Sequence, residues 1–339
     1  MGLIQWGKRI ICFTLLMSCA IHADETESKS GLPEVSLEEA ESKSILPTET
    51  IYADWIFSGI VRNESGEQYG YFFQMQRNNH TFHAISAVFD GENKQILLFD
   101  ENTATLNESK TSNWQVGRAF LSFNPINESW IFGFKTKNKE GFNFKVDMLS
   151  HPENTPVIQD LRPGMELLIS QTGRLNGHLQ LGQDGKELFV MAKNAWYRHV
   201  WLTKDEDTMH LFSSLLCRFN DGSGLYSVNI PEEDAFQGAV AGLCDAQGTS
   251  RAMSQFINVK EDAKEGVWHI RVPSPALHLI LSEAMKQGSV VAGFISKGEK
   301  MGFCLLSKDK LGGVALNQTK DEHQNEGIHA SENSTEPKV

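Results

Sequence analysis

The 339-residue chain reads as an all-β protein of two antiparallel barrel-like domains with little helix. Three observations predict this. Apolar residues recur in about sixteen short runs, one roughly every ten residues, separated by Gly, Asn, Asp and Pro. Several runs alternate apolar with polar, the mark of half-buried antiparallel strands. The runs also form two series with a weak internal echo. Trp55, Gly59, Gly66 and Tyr69-Gly70-Tyr71 open the first, and Gly173-Arg174-Leu175-Asn176-Gly177 with Gly185 opens the second. Barrel closure would remove exposed sheet edges.

The N-terminus comes before either series. Lys8 and Arg9 precede an apolar stretch from Ile10 to Met17, and small residues follow. The stretch is too short to span a bilayer comfortably, so residues 1–23 read as an export signal. Two processing readings stay open. Leu16-Met17-Ser18-Cys19 resembles a lipobox, which would lipidate Cys19 and give the protein a lipid anchor; otherwise cleavage follows Ala20 or Ala23. The destination is the periplasm, the outer membrane as a lipoprotein, or the medium. Residues 24–50 carry eight acidic side chains against Lys29 and Lys43 and read as a disordered linker.

Residues 51–172 form the first expected domain. Trp55 to Val61 and Tyr69 to Gln76 make a hairpin across Asn63-Glu64-Ser65-Gly66, with Tyr71, Phe73 and Met75 on one face. Phe82 to Phe89 and Gln95 to Phe99 follow, joined through Asp90-Gly91. Trp114 to Phe123 and Trp130 to Phe134 come next. Phe142, Phe144, Val146 and Met148 alternate with Asn143, Lys145 and Asp147, which predicts a strand with one buried face. His151 to Gly164 carries three prolines and reads as a long loop or interdomain crossing.

Residues 173–316 form the second expected domain. Its runs are Leu175 to Leu181, Glu187 to Ala192, an aromatic block, His210 to Phe219 and Leu225 to Ile230, then Trp268 to Val272. Ser274-Pro275 with Gly288 frames a helix, while Ala276 to Leu281 equally fits a strand. Val290 to Ile295, Met301 to Leu306 and Gly312 to Leu316 close the domain, and residues 317–339 read as a disordered tail.

A net charge of −12 argues against nucleic-acid binding, which wants a concentrated positive footprint. There is no GxGxxG, Walker or Gly-x-Ser-x-Gly motif, and no cofactor is expected. Beyond the export signal the cysteines are Cys217, Cys244 and Cys304, which allow one disulfide without fixing which. Six Asn-x-Ser/Thr triplets, at Asn63, Asn79, Asn107, Asn127, Asn317 and Asn333, read as polar turns in a bacterial protein. His80 and His83 would not face one way on a strand, and no metal site is expected.

The block Asn194-Ala195-Trp196-Tyr197-Arg198-His199-Val200-Trp201 is the most distinctive stretch. If it is extended, Trp196, Arg198 and Val200 lie on one face, and Tyr197, His199 and Trp201 on the other. The second face would line a cavity with one histidine among aromatic walls, or would simply be core. Trp55, Tyr71 and Phe73 stand in the same relation to the first series. Tyr197, Arg198, His199, Trp201, Trp55, Tyr71 and Phe73 are therefore the candidate ligand-binding residues.

These stretches resemble the double lipocalin-like family that includes the AttH proteins and the carotenoid 1,2-hydratases (CrtC). Trp55, Phe57 and Gly59, followed by Gly70-Tyr71-Phe72-Phe73, are similar to its tryptophan strand and "Gly-Tyr-x-Phe" strand. Gly173 to Gly177 opens the second half, and Trp268-His269-Ile270-Arg271-Val272-Pro273 fits a later strand. His199 and Trp201 match an Asp-His-x-Trp-Gly-like element. Arg198 stands where that element has an acid, and Leu202 where it has glycine. The resemblance implies two lipocalin-like barrels. The missing acid puts hydratase chemistry in doubt, since adding water to a double bond needs a proton donor within reach.

Three functional expectations follow. The leading one is an exported protein that binds an apolar small molecule, a lipid or isoprenoid, in a barrel or interdomain pocket. The second is a hydratase or isomerase on an apolar substrate with His199 as its acid–base residue. The third is an envelope or host-interaction protein that works through its surface.

Overall fold

In the computed structural model, the described residues are 50–106, 112–148, 156–182, 186–204, 208–231, 239–253, 257–263, 266–282, 284–297 and 300–313. The expected export signal, Cys19, nearly all of the linker and the tail lie outside them. The described residues form twenty-three strands and no helix. Those up to the sheet boundary are β1 Tyr52–Asn63, β2 Gln68–Asn78, β3 Thr81–Asp90, β4 Ile96–Thr105, β5 Asn113–Val116, β6 Ala119–Asn124, β7 Ser129–Lys135, β8 Gly141–Asp147, β9 Val157–Arg162, β10 Met165–Gln171, β11 Leu175–Leu181, β12 Lys186–Ala192 and β13 Trp196–Leu202. The rest are β14 Met209–Phe219, β15 Gly224–Asn229, β16 Ala239–Cys244, β17 Ser250–Ala252, β18 Asn258–Glu261, β19 Trp268–Val272, β20 Leu277–Leu281, β21 Met285–Gln287, β22 Val290–Lys297 and β23 Lys300–Gly312.

The molecule is all-β, with two antiparallel barrel-like sheets of thirteen and ten strands. The expected hairpin is β1–β2, in register from Tyr52↔Asn78 to Arg62↔Gln68. In β8, Phe142, Phe144 and Val146 are buried as the alternation predicts, and Met148 just beyond is half-buried. The helix framed by Ser274-Pro275 does not form: a turn with a cis Ser274–Pro275 bond leads into β20. The expected loop after His151 contains β9, which pairs with β10.

The division expected at residues 172 and 173 cuts through the first sheet. β11 pairs with β8, β12 pairs with β11 and the end of β1, and β13 pairs with the start of β1. The first sheet thus runs through Leu202, and the second begins at Met209. The reason is that β1 is twelve residues long and serves two partners: Ala53 to Ser58 take β13, and Arg62 and Asn63 take β12.

The first sheet curls until β4 lies against β5 and β6. There the Asp100 carboxylate pairs with Arg118, and Gly117 admits Asn102: a Cβ at Gly117 would sit 2.3 Å from the Asn102 Oδ1. The lumen is lined by alternate residues of its strands, among them Trp55, Phe57, Tyr71, Phe73, Trp114, Trp130, Phe132 and Phe144.

A second core lies between the two sheets, with Ile56, Phe72, Trp196 and Val200 from the first and Phe212, Leu216, Phe303 and Leu305 from the second. Strand β13 feeds both cores. Tyr197, His199 and Trp201 point into the lumen, while Trp196, Arg198, Val200 and Leu202 point into the seam. The backbones approach closely here. A Cβ at Gly70 would lie 2.4 Å from the Phe303 ring, so only glycine fits without a shift.

The seam is held by one guanidinium between two carboxyl groups. Arg198 is fully buried and pairs with Asp54 of β1 through Nη2 and with Asp309 of β23 through Nη1, the latter at 3.0 Å. Ser214 accepts a further hydrogen bond from Nη1. Gln74 Nε2 donates to Asp54 at 2.7 Å and to Asp309 at 2.8 Å, and the Ser307 hydroxyl donates to Asp309 at 2.6 Å. Trp196 Nε1 donates across the seam to the Cys217 carbonyl at 2.8 Å. The guanidinium also lies over the Phe212 ring, 5.1 Å from its centroid. Burial raises Asp54 from 3.8 to about 7, reinforced by Asp309 and opposed by Arg198. Below, inside the second barrel, Cys217 and Cys304 sit opposite each other on β14 and β23 and form a disulfide.

Removing one partner of such a group leaves an uncompensated buried charge. Arg198→Met should cost about 3–5 kcal/mol in urea denaturation, and replacing Arg198, Asp54 and Asp309 together by apolar residues should recover most of it. The raised Asp54 implies that the native state keeps a proton the unfolded chain has lost. Its stabilising contribution is full below about 4 and fades as pH rises towards 7. Asp54→Asn should remove this decline, read as the urea midpoint against pH from 4 to 7.

Candidate functional site

Six of the seven candidate ligand-binding residues share one place. Trp55, Tyr71, Phe73, Tyr197, His199 and Trp201 all face the first barrel's lumen. Alternation on three neighbouring strands brings them together, with Trp55 directly opposite both His199 and Met75, and Phe57 opposite Tyr197 and Phe73. Arg198 is the exception. It faces the seam, where protein carboxylates occupy its guanidinium, so it is not positioned to orient a ligand in the lumen.

His199 lies between two indoles. Its ring is 5.3 Å from that of Trp55 at 10° and 4.5 Å from that of Trp201 at 21°. Trp55 in turn stacks on Trp114 at 4.8 Å. Phe57 stacks on Phe132 at 4.2 Å, and Tyr197 meets Phe57 at 5.1 Å. Burial, with the Arg198 charge second, lowers His199 from 6.5 to about 3. The imidazole is therefore neutral at physiological pH and carries one donor and one acceptor nitrogen. Burial raises Tyr71 and Tyr197 far above the usual phenol range, so both stay as O–H donors.

The polar atoms of this lumen are unusual. His199 Nε2, Trp55 Nε1, Trp114 Nε1, Tyr71 Oη, Ser86 Oγ and Arg77 Nη1 are all buried, and none has a hydrogen-bond partner among the described residues. Arg77 continues the inward series of Tyr69, Tyr71, Phe73 and Met75 at one end of β2, with its guanidinium 5.5 Å from the centre of the Phe82 ring. Ser86 lies opposite Phe73 on β3, and Asp100 lies opposite Ser86 on β4.

One carboxyl group, Asp100, lies on the inward face of β4. It is 1% exposed. Asn102 donates to it, Arg118 pairs with it, and burial outweighs both to raise its pKa above the ordinary carboxylate value. Sequence reasoning missed it because the run ends in Phe99-Asp100-Glu101, which looks like a strand leaving the core. In the fold the polarity is reversed: Phe99 is 40% exposed and Asp100 is buried. A signal was present in the period of two through Leu98, Asp100, Asn102 and Ala104.

The other histidines lie elsewhere. His83 contacts Glu101 at 3.0 Å on the exposed face of β3 and β4. His269 and His278, distant in sequence, meet on β19 and β20 with ring nitrogens 3.0 Å apart, and His269 contacts Asp262 at 2.8 Å. Among the described residues no group of three or more His, Cys, Asp or Glu converges as metal ligands do. No helix among them is long and apolar enough to cross a membrane.

No protein-family profile matches the sequence, and no curated protein sequence matches it. Solved structures do match. One is a protein from Nitrosomonas europaea assigned as AttH, with a TM-score of 0.52 and 14% identity over 80% of this chain and 98% of that one. Another is kievitone hydratase from Nectria haematococca, with a TM-score of 0.53 and 9% identity over 80% of this chain and 91% of that one. At these identities the likeness is one of fold. The all-β fold of this chain is similar to that of AttH- and carotenoid-hydratase-like lipocalin-fold proteins.

Proposed function

We propose that the first barrel takes up a largely apolar, unsaturated small molecule and that His199 performs acid–base chemistry on it, as in hydration or isomerisation of a double bond. The observation that carries this reading is the set of unpartnered polar atoms in the aromatic lumen. Each buried orphan costs about 1–3 kcal/mol, so a group of them in one lumen calls for a ligand or water to answer it. Aromatic walls with a few convergent polar groups suit an isoprenoid or phenolic body. The shared fold with a hydratase supports the same reading.

The two shifted groups divide the labour. A neutral imidazole can accept a proton, and Asp100, the buried carboxyl group of the same barrel, is the group proposed to deliver one. In hydration, Asp100 would deliver a proton to one alkene carbon and water would add to the other. His199 would take the proton that the water sheds. The net change is one water added across the double bond, and solvent returns the proton from histidine to aspartate. Tyr71 and Tyr197 would hold polar substituents of the substrate. Carriage without turnover uses the same lumen and differs only in leaving His199 as a hydrogen-bonding group.

We also propose that the protein works outside the cytoplasm. The export signal at residues 1–23 and the Cys217–Cys304 disulfide, which suits an oxidising compartment, support this. Lipidation at Cys19 and cleavage after Ala20 or Ala23 remain the two forms of processing.

The test is incubation of the full chain with prenylated phenols and acyclic isoprenoids in 18O-labelled water, read by mass spectrometry. A hydration substrate should gain one labelled water. His199→Gln should lower turnover about 100-fold or more, with Asp100→Asn acting in the same direction, while substrate affinity stays within about threefold. Binding by the wild type without turnover would assign carriage; neither binding nor turnover would sink both readings. In NMR titration the His199 ring signals should stay constant from pH 5 to 8, because its pKa lies near 3.

A further inference from the structure

We propose that the second barrel is a separate binding site for an amphipathic organic anion, an apolar body carrying a carboxylate-type head. A cavity of about 370 Å³ opens into this barrel, within the size range of small-molecule sites. None of the candidate residues of the first barrel lines it.

The strand register builds the cavity in layers. Leu225, Cys217 and Cys304 lie side by side on β15, β14 and β23, so the disulfide and Leu225 sit one layer beyond the residues that line it. The next layer is Ser227, Leu215, Leu306 and Val291. The outer layer is Asn229, Ser213 and Lys308, with Ser289 beside it. Ile257, Val259 and Trp268 form the facing wall. The lining therefore grades from apolar at depth to hydroxyl, amide and ammonium at the mouth, the gradient an amphiphile requires.

The mouth also has a sign. Two lysines and one glutamate line it: Lys286, Lys308 and Glu261. Lys286 pairs with Glu261 at 3.0 Å and lies 5.6 Å from the centre of the Trp268 ring. Lys308 makes no ion pair among the described residues, which leaves one uncompensated positive charge beside the Ser213 and Asn229 groups. An anionic head would meet this ammonium while its tail lies along Leu215, Leu306 and Val291. The indole Nε1 of Trp268 is buried without a partner among the described residues, one more donor available to an oxygen on the ligand.

The test uses dodecanoate and dodecanol as probes on the full chain, below micellar concentrations, by isothermal titration. Dodecanoate should bind one molecule per chain. Lys308→Gln, at an exposed position, should weaken dodecanoate about tenfold and leave dodecanol unchanged. Ser227→Phe, which fills the middle layer, should abolish binding of both while circular dichroism and the thermal midpoint show an intact fold. His199→Gln should change neither, which separates this site from the first barrel. Absence of dodecanoate binding, equal affinity in wild type and Lys308→Gln, or full binding by a folded Ser227→Phe would each overturn the proposal.

Discussion

A single guanidinium buried between two sheets, answered by a carboxylate from each, is the constraint on which the architecture depends. Arg198 and Asp54 belong to the first sheet and Asp309 to the second. Charges so deep in protein are tolerable only when every one is paired and hydrogen-bonded. Gln74 and the hydroxyls of Ser214 and Ser307 meet most of that requirement, leaving Arg198 Nε without a partner among the described residues. The apolar seam around them supplies cohesion without direction, whereas the ionic group is satisfied in one alignment of the sheets. That alignment also sets the orientation of β13, and with it the direction in which His199 points.

Strand β13 links assembly to chemistry by the plainest rule of β structure. Successive side chains leave opposite faces. Trp196, Arg198 and Val200 dock the second barrel, while Tyr197, His199 and Trp201 line the first. Arg198 also acts on its neighbour through the field: its charge adds to burial in keeping His199 neutral. The residue before His199 serves the seam, which accounts for the arginine at that position.

How much was legible in the sequence depended on the range of the interactions involved. The β1–β2 hairpin, the alternation of β8 and the two faces of β13 follow from local periodicity, and they were readable. The grouping of Trp55, Tyr71 and Phe73 with His199 was not, because the expected division put His199 in the second domain and only the β1–β13 pairing brings it beside Trp55. The domain boundary was not readable. β11 to β13 pair back to β8 and β1, and nothing local marks a pairing so distant in the chain. Asp309 as the partner of Arg198 was hidden for the same reason, 111 residues away. Asp100 was hidden because a charged residue next to Phe99 reads as exposed, and only barrel closure against Arg118 reverses that.

The placement of Asp54 on the first strand and Asp309 on the last has a consequence for how the molecule comes into being. A chain that emerges from its N-terminus can lay down β1 to β13 early, but Arg198 then has one of its two anions. The second arrives with β23, when nearly the whole polypeptide is available. Until then the seam face presents a cation short of a partner amid bare apolar residues, a surface attractive to any other chain nearby. Contacts of such sequence separation are slow to form. Commitment to the native arrangement is therefore deferred until β23 is available.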